Sequence, residues 1–484
     1  MALSGAKTVK AVGSSPGPSV AVRAAIPIAV AVIVWLLPPI WGLQAGAMHM
    51  IGLFLGTILG LILQPLPQGA VVILGVALTA ITGTLSIGDS LSGFANTTVW
   101  LIVSAFLFAR GFIKTGLGRR ISYIMIRAFG KSTLGLAYAI AASDLVIAPA
   151  TPSNTARAGG ILFPIVRSLA ASFGSEPGPT ARKAGAFLML TEYQVNLVTS
   201  AMFLTSVAPA PLVAELARKN FDVNVTWIGW AAAAVVPGLV ALALIPYLLY
   251  RLYPPEVSTS PDAPRMAARE LESMGPMSRG EKAMLGVFLL TLVLWATGQW
   301  NHLHETAVAL AGVALLIVLG VVNWKDVLGE SGGWDALIWF GGLVAMANGL
   351  SKWGVIGALA DNVKLALGDA GSWMLVLFLV VLLYVYLHYF IASMTAHVTA
   401  FFVPLAAVAI ALGAPAYLVT IALGVFSSLN ASLTHYGTGP APIYFGAGYV
   451  DQTTWWKFGF LLSVVNLIVW VGLGGLWWKV LGLW

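Results

Sequence analysis

No cysteine occurs among the 484 residues. Disulfides, thiol nucleophiles and thiolate metal sites are therefore excluded. Charge is scarce as well: Asp, Glu, Lys and Arg make up 9% of the chain, against about 25% in an ordinary soluble domain. The apolar fraction is 59% and the mean hydropathy +0.90, a composition made for lipid. Apolar windows at 24–43, 47–63, 69–85, 284–298, 304–322, 372–392 and 457–482 approach or reach the roughly 20 residues that a spanning helix needs. Period-two alternation is missing from them, which argues against a barrel. A Gly-rich phosphate loop, an HExxH pair and zinc spacing are also missing. The net charge of +7 reads as cations on cytoplasmic loops rather than as a nucleic-acid surface. Composition thus predicts an all-α polytopic membrane protein.

What the chain has instead is repetition. Residues 153–164, SNTARAGGILFP, and 393–404, SMTAHVTAFFVP, lie 240 positions apart and share Ser, Thr, Ala and Pro in register. Gly111, Lys114 and Gly116 match Gly349, Lys352 and Gly354 at an offset of 238. Pro209-Ala210-Pro211 matches Pro440-Ala441-Pro442 at an offset of 231. Related halves inside a membrane point to a transporter whose site lies where they meet. The polar stretch 254–281 reads as a cytoplasmic linker between a first half, 24–253, and a second, 282–484, after a short cytosolic tail over 1–23. About 11 transmembrane helices are expected, together with two re-entrant helical hairpins. Their tips fall at 153–155 and 393–395, between apolar arms that are short for full spans.

Charge sets the orientation. Segment 110–131 holds Arg110, Lys114, Arg119, Arg120, Arg127 and Lys131 without an acid, whereas its copy, 348–369, balances Lys352 and Lys364 against Asp361 and Asp369. The first is expected to face the cytoplasm and the second the opposite side, which makes the repeat inverted.

Ser153, Asn154 and Thr155 open a half-helix and offer hydroxyls, an amide and free backbone N–H groups to an anion. Ser393, Met394 and Thr395 repeat the arrangement. Either triplet alone is explained by helix capping; recurrence at both tips favours a ligand, and two opposed anion sites suit a substrate with two carboxylates. Arg157 and His397 each lie two residues past the Thr, at matched positions. Intramembrane cations usually have partners or functions, and each of these is expected to neutralise a carboxylate. The structural alternatives are a snorkelling arginine and a neutral, packed histidine. Loops 199–211 and 430–442, with Thr205, Ser206, Gly437, Thr438 and Gly439, break apolar segments and expose backbone groups to a substrate. Asp144, Glu192 and His388 also stand in apolar context. Asp144 is a candidate partner for a buried arginine, and none of the three is given a transport role.

The chain resembles the divalent anion/sodium symporter family along nearly its whole length. The likeness is carried by NTTVWLIVSAFLFARGFIKTGLGRRI (96–121), the two tips, and SLTHYGTGPAPIYFGAGYVDQTTWWKFGF (432–460). The last stretch is most similar to the citrate/tartrate and 2-oxoglutarate/malate exchanger branch. The resemblance implies an inverted repeat, opposed hairpins, a dimeric scaffold and an elevator-type cycle, with substrate carboxylates held at the tips. In sodium-coupled members the tips and broken helices also bind sodium. Here Met394 stands where symporters have Asn, and Arg157 and His397 add fixed positive charge that repels a cation. The expectation is sodium-independent exchange of dicarboxylates of the malate, succinate and 2-oxoglutarate class, with citrate or tartrate left open. It needs no cofactor and involves a homodimer in a bacterial inner membrane or a plastid envelope. The alternative is sodium-coupled uptake through the same tips. An intramembrane hydrolase using His388, His397 and His435 lacks a supporting carboxylate, and closed hairpins do not outline a channel.

Overall fold

The computed structural model describes residues 19–367 and 371–484. Most of the predicted tail, and Asp369, therefore lie outside the described residues. Ser19 caps the first helix through the Val22 N–H, 3.4 Å away.

Among the described residues the fold is helical, without strands. The first half comprises α1 (Val20–Leu36), α2 (Ala45–Leu63), α3 (Gln68–Ile81), α4 (Ile87–Leu91), α5 (Thr97–Thr115), α6 (Leu117–Phe129), α7 (Thr133–Ile147), α8 (Phe163–Ser172), α9 (Gly185–Met202), α10 (Pro209–Phe221) and α11 (Trp227–Leu252). The linker holds α12 (Ala263–Ser273). The second half comprises α13 (Arg279–Ala296), α14 (Gly298–Asn301), α15 (Glu305–Val318), α16 (Trp324–Leu328), α17 (Ser331–Lys352), α18 (Val355–Leu367), α19 (Trp373–Tyr386), α20 (Met394–Ala411), α21 (Ala416–Leu429), α22 (Pro440–Gly446), α23 (Gln452–Leu467) and α24 (Gly474–Val480).

Eight described helices are long and apolar enough to cross a membrane, or nine if α17 and α18, bent by 59°, count as one span. α1, α3 and α15 are apolar but shorter. The expected number, about 11, depends on how those three sit in the bilayer.

Two reciprocal ion pairs relate the halves. Lys114, near the end of α5, reaches Asp326 Oδ2 at 2.5 Å, just ahead of α17. Lys352, at the end of α17, reaches Asp89 Oδ2 at 2.6 Å, just ahead of α5. Helices α5 and α17 pack together, so each end of one meets the beginning of the other. They run antiparallel, with the two lysines at opposite ends of the helix pair. Both acids are held below the usual carboxylate range: Asp89 by the Lys352 hydrogen bond first and Ser86 second, Asp326 by the Asn323 N–H first and Lys114 second.

The linker is ordered. Its backbone bonds to Lys131, Thr133, Arg182 and Lys183, and α12 packs along α6. Arg120 of α6 fastens it to the first half, with Nε 2.5 Å from Glu281 Oε1 and Nη1 3.0 Å from the Gly275 carbonyl. The basic segments of the first half thus share one face with the linker.

The centre of the molecule is the repeat-related pair α9 and α21. Every residue of α9 is buried, Glu192, Gln194 and Asn196 included, and α21 is buried from Leu418 onward. A helix buried all round is normally apolar all round. The polar residues of α9 therefore need partners inside the protein. Asn196 and Thr199 find theirs in Asp144, and Gln194 Nε2 donates to the Ser432 carbonyl at 3.4 Å, whereas neither carboxyl oxygen of Glu192 meets one among the described residues.

Candidate functional site

Each tip follows a helix that ends in a 3-10 turn. Helix α7 ends in a 3-10 turn, Ala148–Ala150, and the chain runs extended to Ser153 before resuming as a wide π turn, Thr155–Leu162, that leads into α8. Helix α19 ends in a 3-10 turn, Leu387–Phe390, and the chain resumes as α20. Ser153 Oγ accepts the Ala156 N–H at 3.1 Å, and Ser393 Oγ accepts the Ala396 N–H at 3.3 Å. The capping reading is therefore correct for both serines. It is also what aims the first-turn N–H groups, which have no partner within their own helix, at the space in front of each tip.

That space is a single cavity of about 520 Å³. Ser153, Asn154, Thr155, Ser393, Met394, Thr395, Thr438 and Gly439 all line it. Asn154 Nδ2 donates to Thr438 Oγ1 at 2.9 Å, joining the first tip to the broken helix of the second half. Gly439 is required there: a β-carbon would stand 2.0 Å from Thr155 Oγ1.

Arg157 is not in the cavity, contrary to the sequence expectation. Its side chain is fully buried behind the first tip, where every guanidinium nitrogen is engaged. Nε donates to Asp144 Oδ1 at 2.7 Å, Nη1 to the carbonyls of Thr151 and Ser206 at 2.9 Å each, and Nη2 to Ser200 Oγ at 2.8 Å and Thr199 Oγ1 at 3.3 Å. Asp144, the anticipated partner, also accepts hydrogen bonds from Asn196 and Thr199. Residues 196 and 199 are one turn apart on α9, so α7, α9 and the tip are fastened at one point.

His397 is likewise outside the cavity. It is fully buried with neither ring nitrogen hydrogen-bonded, among Tyr384, His388 and Phe401 at centroid distances of 4.3, 5.0 and 5.3 Å. The packed-histidine alternative describes it. Thr205 and Ser206 also lie behind the wall: Thr205 Oγ1 donates to the Pro149 carbonyl at 2.6 Å and Ser206 Oγ to the Ser200 carbonyl at 2.7 Å. Val207, Ala208 and Pro209 line the cavity in their place.

Gly437 does not line the cavity, and its carbonyl lies 2.9 Å from His388 Nε2. Because a carbonyl only accepts, His388 is the donor. Gly437 is the repeat equivalent of Ser206, whose carbonyl receives Arg157. In each half a side-chain nitrogen thus occupies the carbonyl exposed by the broken helix. Nothing in the sequence marks His388, since a lone histidine in apolar context resembles core.

The opposite wall comes from elements without a repeat signature at the tips. Gln64, Leu66 and Pro67 contribute from the α2–α3 turn, Gln68 from the start of α3, Phe106 from α5, and Gly332, Asp335 and Trp339 from α17. Gln68 Nε2 donates to Ser393 Oγ at 3.1 Å, the direct link between this wall and the second tip. Among the described residues no group of three or more His, Asp or Glu suited to a metal ion occurs.

Residues 19–484 match the family model described as the sodium:sulfate symporter transmembrane region. The chain is 50% identical over 460 residues to the putative malate transporter YflS of Bacillus subtilis, covering 95% of this chain and 96% of the relative. It is 48% identical to the chloroplastic dicarboxylate transporter 1 of Spinacia oleracea, covering 94% and 80%. Among solved structures, the YdaH transporter of Alcanivorax borkumensis shares the fold, with a TM-score of 0.56 at 15% identity over 90% of this chain and 98% of the other. This multi-pass membrane protein, a transporter and not an enzyme, belongs to the sodium:sulfate symporter family of divalent-anion transporters.

Proposed function

We propose that the protein exchanges one dicarboxylate for another across the membrane, without sodium, through the cavity between the two tips. The observation that carries this reading is the pair of matching serine-capped helix starts, one from each half, on one cavity. Each start favours negative charge, and two of them suit an anion with a carboxylate at either end. The names of the Bacillus and spinach relatives support malate and other dicarboxylates as the substrate class.

Sodium independence rests on the broken helices. A coupling cation would need their carbonyls as ligands, but Ser206 O and Gly437 O already receive Arg157 and His388. Met394, a thioether in place of an amide, removes a further oxygen. The Arg157–Asp144 pair carries no net charge, so the fixed cation acts by filling the carbonyl cage rather than by meeting the substrate. The cycle we propose is an elevator in which the body carrying both tips slides past α3, α5 and α17 and exchanges the Gln68–Ser393 contact as it moves. A homodimeric scaffold belongs to the same proposal.

The family description names sodium and sulfate, so sodium-coupled symport is the competing reading. Purified protein in vesicles preloaded with malate tests the substrate class. Labelled malate, succinate and 2-oxoglutarate should enter, and a monocarboxylate such as lactate should not compete. Competition by sulfate alone would contradict the proposal.

A further inference from the structure

One charged residue lines the cavity, and its sign is the wrong one for an anion site. Asp335 projects from the second turn of α17 toward the space in front of the tips. No other lining side chain among the described residues carries a formal charge. Asp335 is exposed and has no ion-pair partner there. It leans on the start of α3, where a β-carbon on Gly69 would stand 2.6 Å from Oδ1, and α3 has no ionisable side chain to balance it. The repeat-equivalent residue, 238 positions earlier, is Thr97, which carries no charge. The carboxylate therefore belongs to one half only and has no structural partner to explain it.

We infer that Asp335 sets a charge ceiling on the substrate, admitting doubly charged anions and disfavouring triply charged ones. This rests on the proposed anion site between the tips. A fixed negative charge repels every anion in the cavity in proportion to its charge, so a third carboxylate suffers one increment more than a second. Coulomb's law, with a separation on the order of 8 Å and an effective dielectric of about 30 to 60, makes that increment about three- to tenfold in the transport constant. Size does not enter the comparison, because asparagine has the shape of aspartate.

The test uses the full-length protein in malate-loaded proteoliposomes at about pH 8, where citrate is a trianion and malate a dianion. The ratio of kcat/KM for citrate to that for malate is measured in the parent, Asp335→Asn, Asp335→Ser and Asp335→Glu; if citrate uptake is too slow, its inhibition constant against malate replaces it. The ratio should rise about three- to tenfold in the Asn and Ser variants and stay at the parent value in Glu. A change of less than about twofold in both neutral variants, with malate uptake intact, overturns the charge ceiling. Absence of malate uptake in the parent overturns both the ceiling and the exchange reading, so the two failures are told apart.

Discussion

Replacing Arg157 with methionine keeps an unbranched apolar stem, two atoms shorter, and removes all five polar contacts of the guanidinium. Asp144 is left as an unpaired carboxylate with no exposure, held only by Asn196 and Thr199. The carbonyls of Thr151 and Ser206 lose their guanidinium donor. Breaking a buried ion pair by removing one partner costs about 3–5 kcal/mol, mostly because the remaining charge is stranded. Arg157→Met should therefore destabilise the protein by about that amount in denaturant titration in detergent, and malate exchange should fall below about a tenth, the loss expected when a site is displaced by even an ångström or so. Asp144→Asn in the same background removes the stranded charge. The double variant should be more stable than the sum of the single losses by at least about 1 kcal/mol, as residues sharing one network do. Arg157→Lys should recover only part of the exchange, since lysine lacks the planar fork that holds two carbonyls and a carboxylate together. Losses that simply add, or an Arg157→Met protein as stable as the parent, would refute the claim that this pair is the structural pin of the first tip.

At the tips, Ser153→Ala, Asn154→Ala and Thr395→Ala should each weaken malate affinity by about 10- to 150-fold, the value of a hydrogen bond to a charged group, roughly 1.5–3 kcal/mol; the concentration dependence of exchange measures it. His388→Phe should impair exchange by leaving the Gly437 carbonyl without its donor, whereas His388→Gln, whose amide can replace Nε2–H, should retain more activity in the same counterflow assay. His397→Gln should run parallel to the parent from about pH 5.5 to 8, around the free-histidine value, because the ring packs among aromatics and does not face the substrate. Its effect should appear as reduced stability; profiles that diverge toward acid would return His397 to the cavity.

The sequence made the tips readable because the same polar pattern occurs twice in apolar surroundings, and the structure brings both copies to one cavity. The fate of Arg157 was harder to read. Its partners, Asp144, Ser200 and Ser206, come from separate segments, and matched spacing with His397 suggested a shared role that their surroundings do not give them. One is a pinned ion pair and the other a packed ring. Equivalence in the repeat proved more informative for the broken helices, where Ser206 and Gly437 correspond and each carbonyl meets a side-chain nitrogen. The wall formed by Gln68, Asp335 and Trp339 left no sequence signal. Those residues sit in otherwise ordinary helices and become site residues only through the packing of α3 and α17. The number of spans depends on packing in the same way, since 14-residue helices such as α3 and α15 are too short to classify by length.

The most direct test of dicarboxylate exchange is uptake of labelled malate into four sets of vesicles, empty or malate-loaded, each with and without an inward sodium gradient. Exchange predicts rapid uptake in both loaded sets and negligible uptake in both empty ones, with sodium making no difference. Strong uptake into empty vesicles that appears only with the sodium gradient would contradict it.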